Sequence, residues 1–149
     1  MMFAGEKLEV DVPPGTLNAE TQFTYQPQSG CSQPTGALGY AGISFQLTAH
    51  TTGSGESVTT FDPPLQVTIH YDLALLGDVT EDSLRLYFWD TDSTTWRDVV
   101  TTCAGGAYVW DLDAHWFRVP LCHLSEFAVL GQRLQAGNGF SIFLPLVTK

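Results

Sequence analysis

Three cysteines are the residues of this sequence whose possible chemistry depends most directly on spacing. Cys31, Cys103 and Cys122 form no C-x-x-C pair, so zinc binding is a poor interpretation. A structural disulfide with one unpaired thiol fits better and indicates an oxidising compartment. A catalytic cysteine is the least favoured interpretation, because no flanking basic residue or helix start would lower the thiol pKa.

The segment between Cys103 and Cys122 favours these two cysteines as partners. It opens with the turn Ala104-Gly105-Gly106 and is expected to fold back on itself as a β-hairpin. A hairpin can bring two cysteines within the Cα separation of about 4.4–6.8 Å that a disulfide needs. We predict a Cys103–Cys122 disulfide with Cys31 unpaired. Reduced buried thiols, or a pairing of Cys31 with either partner, stay open on the sequence alone.

Two further groups of side chains could bind a ligand. Five aspartates offer oxygen atoms to Ca²⁺: Asp90, Asp92, Asp98, Asp111 and Asp113. The DTDST run lacks the glycine and distal glutamate of an EF-hand loop, so a solvated acidic turn is preferred. Four tryptophans could stack on sugars: Trp89, Trp96, Trp110 and Trp116. Large aromatic residues in β-proteins more often pack against sheet faces, so glycan binding is an alternative interpretation.

No arrangement of residues in the sequence predicts catalysis. His50, His70 and His115 are isolated, and there is no phosphate-binding loop and no Ser-His-Asp pattern. We therefore expect a protein that is not an enzyme and that carries no metal ion and no cofactor.

The charge balance excludes several partners. Six Lys and Arg residues stand against sixteen Asp and Glu residues, which gives a net charge of −10. Such a surface repels nucleic acids and anionic membranes. No segment approaches the roughly 20 apolar residues of a membrane span. The opening residues, MMFAGEKLEV, do not resemble a signal peptide, so the protein is either cytosolic or has an export signal outside this sequence. The cysteines favour the second alternative, an extracellular or cell-surface location.

The elements expected to position these side chains are β-strands. In one, Leu65, Val67, Ile69 and Tyr71 alternate with polar residues, and in the next Leu84, Leu86 and Phe88 form an apolar face. The intervening DLALLGDVTED is too short and interrupted for a helix. Further strands are expected at Lys7–Val12, Thr21–Gln26, around Ile43–Leu47, at Trp96–Thr101, 108–112, Trp116–Leu121 and Phe127–Leu130.

Frequent turn signals between short strands predict an all-β fold, an antiparallel β-sandwich of two sheets. We expect one sandwich domain over residues 1–131. Residues 132–149 are expected to form a polar connector followed by an apolar C-terminal strand.

Several of these strands carry a family resemblance. Val12-Pro13-Pro14-Gly15-Thr16-Leu17 is similar to the V-P-x-G-A-L opening of the β-sandwich module of zonula-occludens proteins, netrin receptors and ankyrins, which has relatives in bacterial surface proteins. The resemblance continues through residues 64–69, 83–89 and Trp96. It ends at residues 123–130, HLSEFAVL, which resemble the H-F-S-x-F-A-V strand, with Leu124 at the position where the family usually has Phe.

The resemblance implies a non-catalytic packing or docking module. A minority of the family cleave their own chain before the Ser of His-Phe-Ser. Carried over to this sequence, the cut would fall between Leu124 and Ser125, with Ser125 as nucleophile and His123 as base. The alternative is that both residues only make hydrogen bonds at the end of a sheet.

The C-terminal residues suggest a role in assembly. After the connector Gln132–Gly139, the segment Phe140–Val147 is strongly apolar and ends like many exported bacterial proteins, in F-L-P-L-V before a basic residue. An apolar strand on a connector suits strand addition to a neighbouring molecule. The expected assembly residues are Phe140, Ile142, Phe143, Leu144, Leu146 and Val147.

These features favour a non-catalytic extracellular structural module. We expect it to be a building block of a cell-surface or fibrous assembly, with further copies of itself or a neighbouring surface protein as partner. A glycan-binding module and a self-cleaving module are the alternatives.

Overall fold

The computed structural model describes residues 2–3 and 7–134, and within them the chain forms ten β-strands. The strands are β1 Met2–Phe3, β2 Leu8–Asp11, β3 Thr21–Pro27, β4 Leu38–Thr51, β5 Thr60–His70, β6 Arg85–Asp90, β7 Thr95–Asp98, β8 Val109–Asp111, β9 Trp116–His123 and β10 Glu126–Gln132. Three short 3₁₀ helices lie at Leu73–Leu75, Glu81–Ser83 and Val99–Thr102. No helix within the described ranges has the length and apolar character that a membrane crossing requires.

The strands form two antiparallel sheets packed face to face, which confirms the predicted β-sandwich. Sheet I has the order β1-β2-β5-β9-β8, and sheet II has the order β3-β4-β10-β6-β7. All the strand pairs are antiparallel.

The core lies between the sheets and follows the period-2 pattern of the sequence. The apolar residues of the two alternating segments, 65–71 and 84–88, point into the core, as predicted. The largest fully buried side chains are Phe45, Phe117, Phe127, Leu47, Leu65, Ile69, Leu84, Leu86, Leu121, Leu130, Val10 and Val67.

Two elements differ from the sequence prediction. β4 begins at Leu38, five residues before the strand expected around Ile43–Leu47, because residues 38–40 pair with the end of β10. The strand expected over Trp96–Thr101 ends at Asp98. There the Asp98 carboxylate accepts a hydrogen bond from the Val100 N–H, and this cap starts the 3₁₀ helix Val99–Thr102.

Among the described residues, main-chain pairing continues past Gly131. Gln132 is the last residue of β10, Arg133 forms a bridge with Val79, and the Leu134 N–H donates to the Asp78 carbonyl. The assembly residues predicted between Phe140 and Val147 lie outside the described residues.

Candidate functional site

The predicted disulfide is present. Cys103 and Cys122 are bonded with their Cα atoms 5.4 Å apart, and Cys31 is free. Cys103 follows the 3₁₀ helix after β7 of sheet II, whereas Cys122 lies in β9 of sheet I, so the bond joins the two sheets. Cys122 is the second-last residue of β9.

The free thiol of Cys31 is not activated. Burial, together with the nearby negative charge of Glu126, raises the pKa of Cys31 to about 11. A thiol with that pKa is almost wholly protonated at neutral pH, so this cysteine is a poor nucleophile.

Leu124 and Ser125 form the corner where the chain passes from sheet I to sheet II. The Leu124 N–H donates to the Thr59 carbonyl, and the Ser125 carbonyl accepts from the Leu47 N–H at 3.4 Å. His123 Nε2 lies 2.8 Å from the Thr102 hydroxyl, and its ring packs edge-on against Phe88. The Nε2 atom of the imidazole is therefore engaged with Thr102.

A cleft of about 310 Å³ opens beside this corner. β10 starts only at Glu126, so the far end of β4 has no β10 partner there, and it pairs instead with the segment before β5 through a His50–Ser57 bridge. The gap between β10 and the segment before β5 forms the cleft. Its lining includes Trp89 and Thr91 from the end of β6, Thr48 and His50 from β4, and Ser57 and Glu126.

The four tryptophans do not form one row. Trp89 and Trp96 lie on β6 and β7 of sheet II as an edge-to-face pair, with ring centroids 5.5 Å apart. Trp110 and Trp116 belong to sheet I. Trp110 packs on Phe117 beneath the Arg85 guanidinium, and Arg118 covers Trp116.

Two polar clusters were not anticipated from the sequence. The Tyr108 hydroxyl donates to Asp98 Oδ1 at 2.6 Å and accepts from the Leu86 N–H at 3.0 Å. Burial and the Asp98 carboxylate raise the pKa of Tyr108. These bonds link the residue before β8, in sheet I, to β6 and β7 of sheet II.

In the second cluster, Glu81 Oε2 accepts from the Tyr71 hydroxyl and lies 3.1 Å from His115 Nδ1. The Tyr71 hydrogen bond, together with the His115 ring, holds the pKa of Glu81 below its ordinary value. The residues of each cluster lie far apart in the sequence, so no local sequence pattern predicts either cluster.

The aspartates of the DTDST turn make local contacts. Asp90 Oδ2 pairs with Arg97 at 3.0 Å, and Asp90 Oδ1 accepts from the Asp92 N–H. Across the described part of the chain, no group of three or more His, Cys, Asp and Glu residues is arranged to hold a metal ion.

The outer edge of β3 is the longest strand edge among the described residues. The sheets end in strands of two and three residues in sheet I, and of four and seven residues in sheet II. The seven-residue edge strand is β3, Thr21–Pro27, which contains no charged residue. No strand within residues 2–3 and 7–134 pairs with its outer side.

Two hydrogen bonds fix which main-chain groups of β3 face outward. The Thr52 N–H donates to the Glu20 carbonyl, and the Gln28 N–H donates to the Ser44 carbonyl. Alternate residues of an antiparallel strand exchange bonds with the same neighbour, so the even-numbered residues of β3 face β4. Thr21 and Phe23 therefore direct their N–H and C=O groups to the outer edge.

Comparisons of the chain with protein-family models, with curated proteins and with solved structures found no match. The resemblance to the zonula-occludens, netrin-receptor and ankyrin module therefore stays a sequence-based expectation. The function has to be argued from the geometry of this chain.

Proposed function

We propose that the protein is a non-catalytic extracellular structural module, a building block of a cell-surface or fibrous assembly. Copies would join when the segment Phe140–Val147 of one copy adds as a strand to the outer edge of β3 in its neighbour. The observation that carries the proposal is the seven-residue, uncharged edge of β3. Natural sheets usually protect an edge of this length with charges, proline or a covering segment, and the one proline of β3, Pro27, lies at its end.

The C-terminal segment has the composition of a strand donor. It offers alternating large apolar side chains, and burial of each would contribute about 1.5–3 kcal/mol. Pro145 lacks an N–H, so the segment should pair most strongly through its first half. That half would supply main-chain partners to the outward groups of Thr21 and Phe23.

Chain geometry favours a neighbouring copy over the same molecule. Gln132, at the end of β10, pairs with Leu38, whereas the nearer end of β3, Pro27, pairs with Phe45. Along β4 these two levels are roughly 23 Å apart, and two strand spacings add about 9 Å sideways. From Leu134, an extended chain reaches Phe140 after only about 20 Å. Phe140, the first residue of the apolar segment, therefore falls short of its own β3 edge.

Two further features suit an assembling exported module. The Cys103–Cys122 disulfide is compatible with an oxidising compartment. The net charge of −10 makes copies repel at long range, so we expect association to strengthen as salt screens this repulsion.

Truncation tests the proposal. One variant ends after Gly139 and lacks the apolar segment, and the matched control ends after Val147 and retains it. Size-exclusion chromatography with light scattering would give the mass of each across protein and salt concentrations. We expect the full-length chain and the control to form oligomers that grow with salt, and the shorter variant to remain monomeric. Equal masses for all three under every condition would overturn the proposal.

A further inference from the structure

We propose that the cleft beside the Leu124–Ser125 corner binds a neutral sugar unit of a polysaccharide, with the Trp89 ring as its stacking surface. This site is separate from the β3 edge. Different measurements therefore test the two proposals.

The aromatic wall of the cleft is held in place before any ligand arrives. Trp89 lines the cleft, and its ring meets Trp96 edge to face with centroids 5.5 Å apart. Trp96 is in turn held by a hydrogen bond from its Nε1 to the Gln33 carbonyl. A ring positioned in this way loses little freedom when a ligand binds, which favours affinity.

Several other residues that line the cleft are polar and suit the hydroxyl groups of a sugar. A pyranose has an apolar C–H face and a rim of hydroxyl groups. The residues that line the cleft with Trp89 include Thr48, Thr91 and Ser57, which carry hydroxyl groups, together with His50 and Glu126. An apolar platform with a few polar groups that fix orientation is the usual form of a small-molecule site, and the volume of about 310 Å³ suits a small ligand.

The charges of the lining disfavour an anionic ligand. Of the described residues that line the cleft, none is Lys or Arg, and Glu126 adds a carboxylate. The Ser32 hydroxyl donates to Glu126 and so helps to fix that carboxylate. An acidic sugar or a phosphate would meet this carboxylate without a basic partner, and the chain as a whole carries a net charge of −10.

The test is titration with cellotriose, maltotriose and tri-N-acetylchitotriose as neutral probes, with glucuronic acid as the anionic probe. Binding would be measured by calorimetry and by tryptophan fluorescence. We expect at least one neutral probe to bind with a dissociation constant on the order of 1 mM, as suits so small a ligand. Glucuronic acid should not bind.

Variants locate the binding. Trp89→Ala should weaken it about tenfold through loss of stacking. Trp116→Ala, on the other sheet, should leave it unchanged. Thr48 is exposed, so Thr48→Trp should fill the cleft without harming the fold and should also abolish binding. Failure of all three neutral probes at tens of millimolar would overturn the proposal. So would binding that survives both cleft variants, or preferential binding of glucuronic acid.

Discussion

The two sides of the sandwich are built differently. On the side of β7 and β8, the edge strands have four and three residues. The Cys103–Cys122 disulfide and the Tyr108–Asp98 hydrogen bond join the sheets there, and an Arg97–Asp90 ion pair lies on the β7 edge. On the side of β3, a seven-residue strand has an uncharged outer edge.

This difference separates a side built for stability from a side suited to association. Short, charged edges resist pairing with another chain, whereas a long uncharged edge is a template for it. Changes on the closed side should therefore alter the free energy of unfolding but not assembly. Changes on the β3 edge should do the reverse.

The largest expected effect is on the closed side. Removing the disulfide with Cys103→Ala and Cys122→Ala, which are 19 residues apart, should lower the free energy of unfolding by about 3 kcal/mol. Urea unfolding of the two chains measures this loss. At urea concentrations where the variant stays folded, its oligomer distribution should match that of the parent. Loss of oligomers in a folded variant would contradict the division between the two sides.

A smaller loss is expected from Tyr108→Phe. The variant removes the hydroxyl that bonds Asp98 and the Leu86 N–H, and leaves both without that partner, at a cost of about 1–3 kcal/mol. Tyr87→Phe is the matched control, because the structure gives the Tyr87 hydroxyl no hydrogen bond to any described residue. Equal unfolding free energies for the two variants would show that the Tyr108 bonds do not stabilise the closed side.

Lysine substitutions test the open side. Gln22 and Thr24 are exposed on β3, so Gln22→Lys with Thr24→Lys should give this edge the protection that it lacks. We expect the association constant to fall about tenfold, since two charges would have to be desolvated or displaced. The control places lysines at exposed Thr94 and Thr95 beside β7, which changes the net charge equally. An equal drop in both variants, measured by light scattering, would remove the distinction between the edges.

The smallest effect concerns pH. The Tyr71 and His115 contacts lower the pKa of Glu81 in the folded state, so its carboxylate stabilises the fold above the unfolded pKa of about 4.3. This contribution disappears as the pH falls through the lower folded pKa. The difference in Tm between the parent and Glu81→Gln should therefore shrink on acidification, whereas Asp82→Asn serves as a control nearby. A difference that is constant with pH would contradict the role given to Glu81.

The sequence predicted the sandwich because alternation of apolar residues reports burial directly. The inward residues of β5 and β6, such as Val67 and Leu86, could be read in this way. The disulfide was predictable because its partners flank a hairpin. The full length of β4 was not, since residues 38–40 become a strand only through pairing with β10, which is distant in sequence.

The candidate sites were harder to predict, because they depend on contacts between residues that are far apart in the sequence. Trp89 was recognisable as a possible sugar-stacking residue, but the cleft beside it exists because β10 begins only at Glu126. In the same way, Thr21–Gln26 could be predicted as a strand. Its position at a sheet edge is a property of the whole topology.

Hydrogen–deuterium exchange at residue resolution tests the central claim most directly. The N–H groups of Gln22 and Thr24 face β4, whereas those of Thr21 and Phe23 face the outer edge. In the assembled full-length protein we expect all four amides to be protected. In the chain that ends after Gly139, we expect Thr21 and Phe23 to exchange rapidly while Gln22 and Thr24 stay protected. If Thr21 and Phe23 exchange at the same rate in both chains, the C-terminal segment does not add to β3 and the account is wrong.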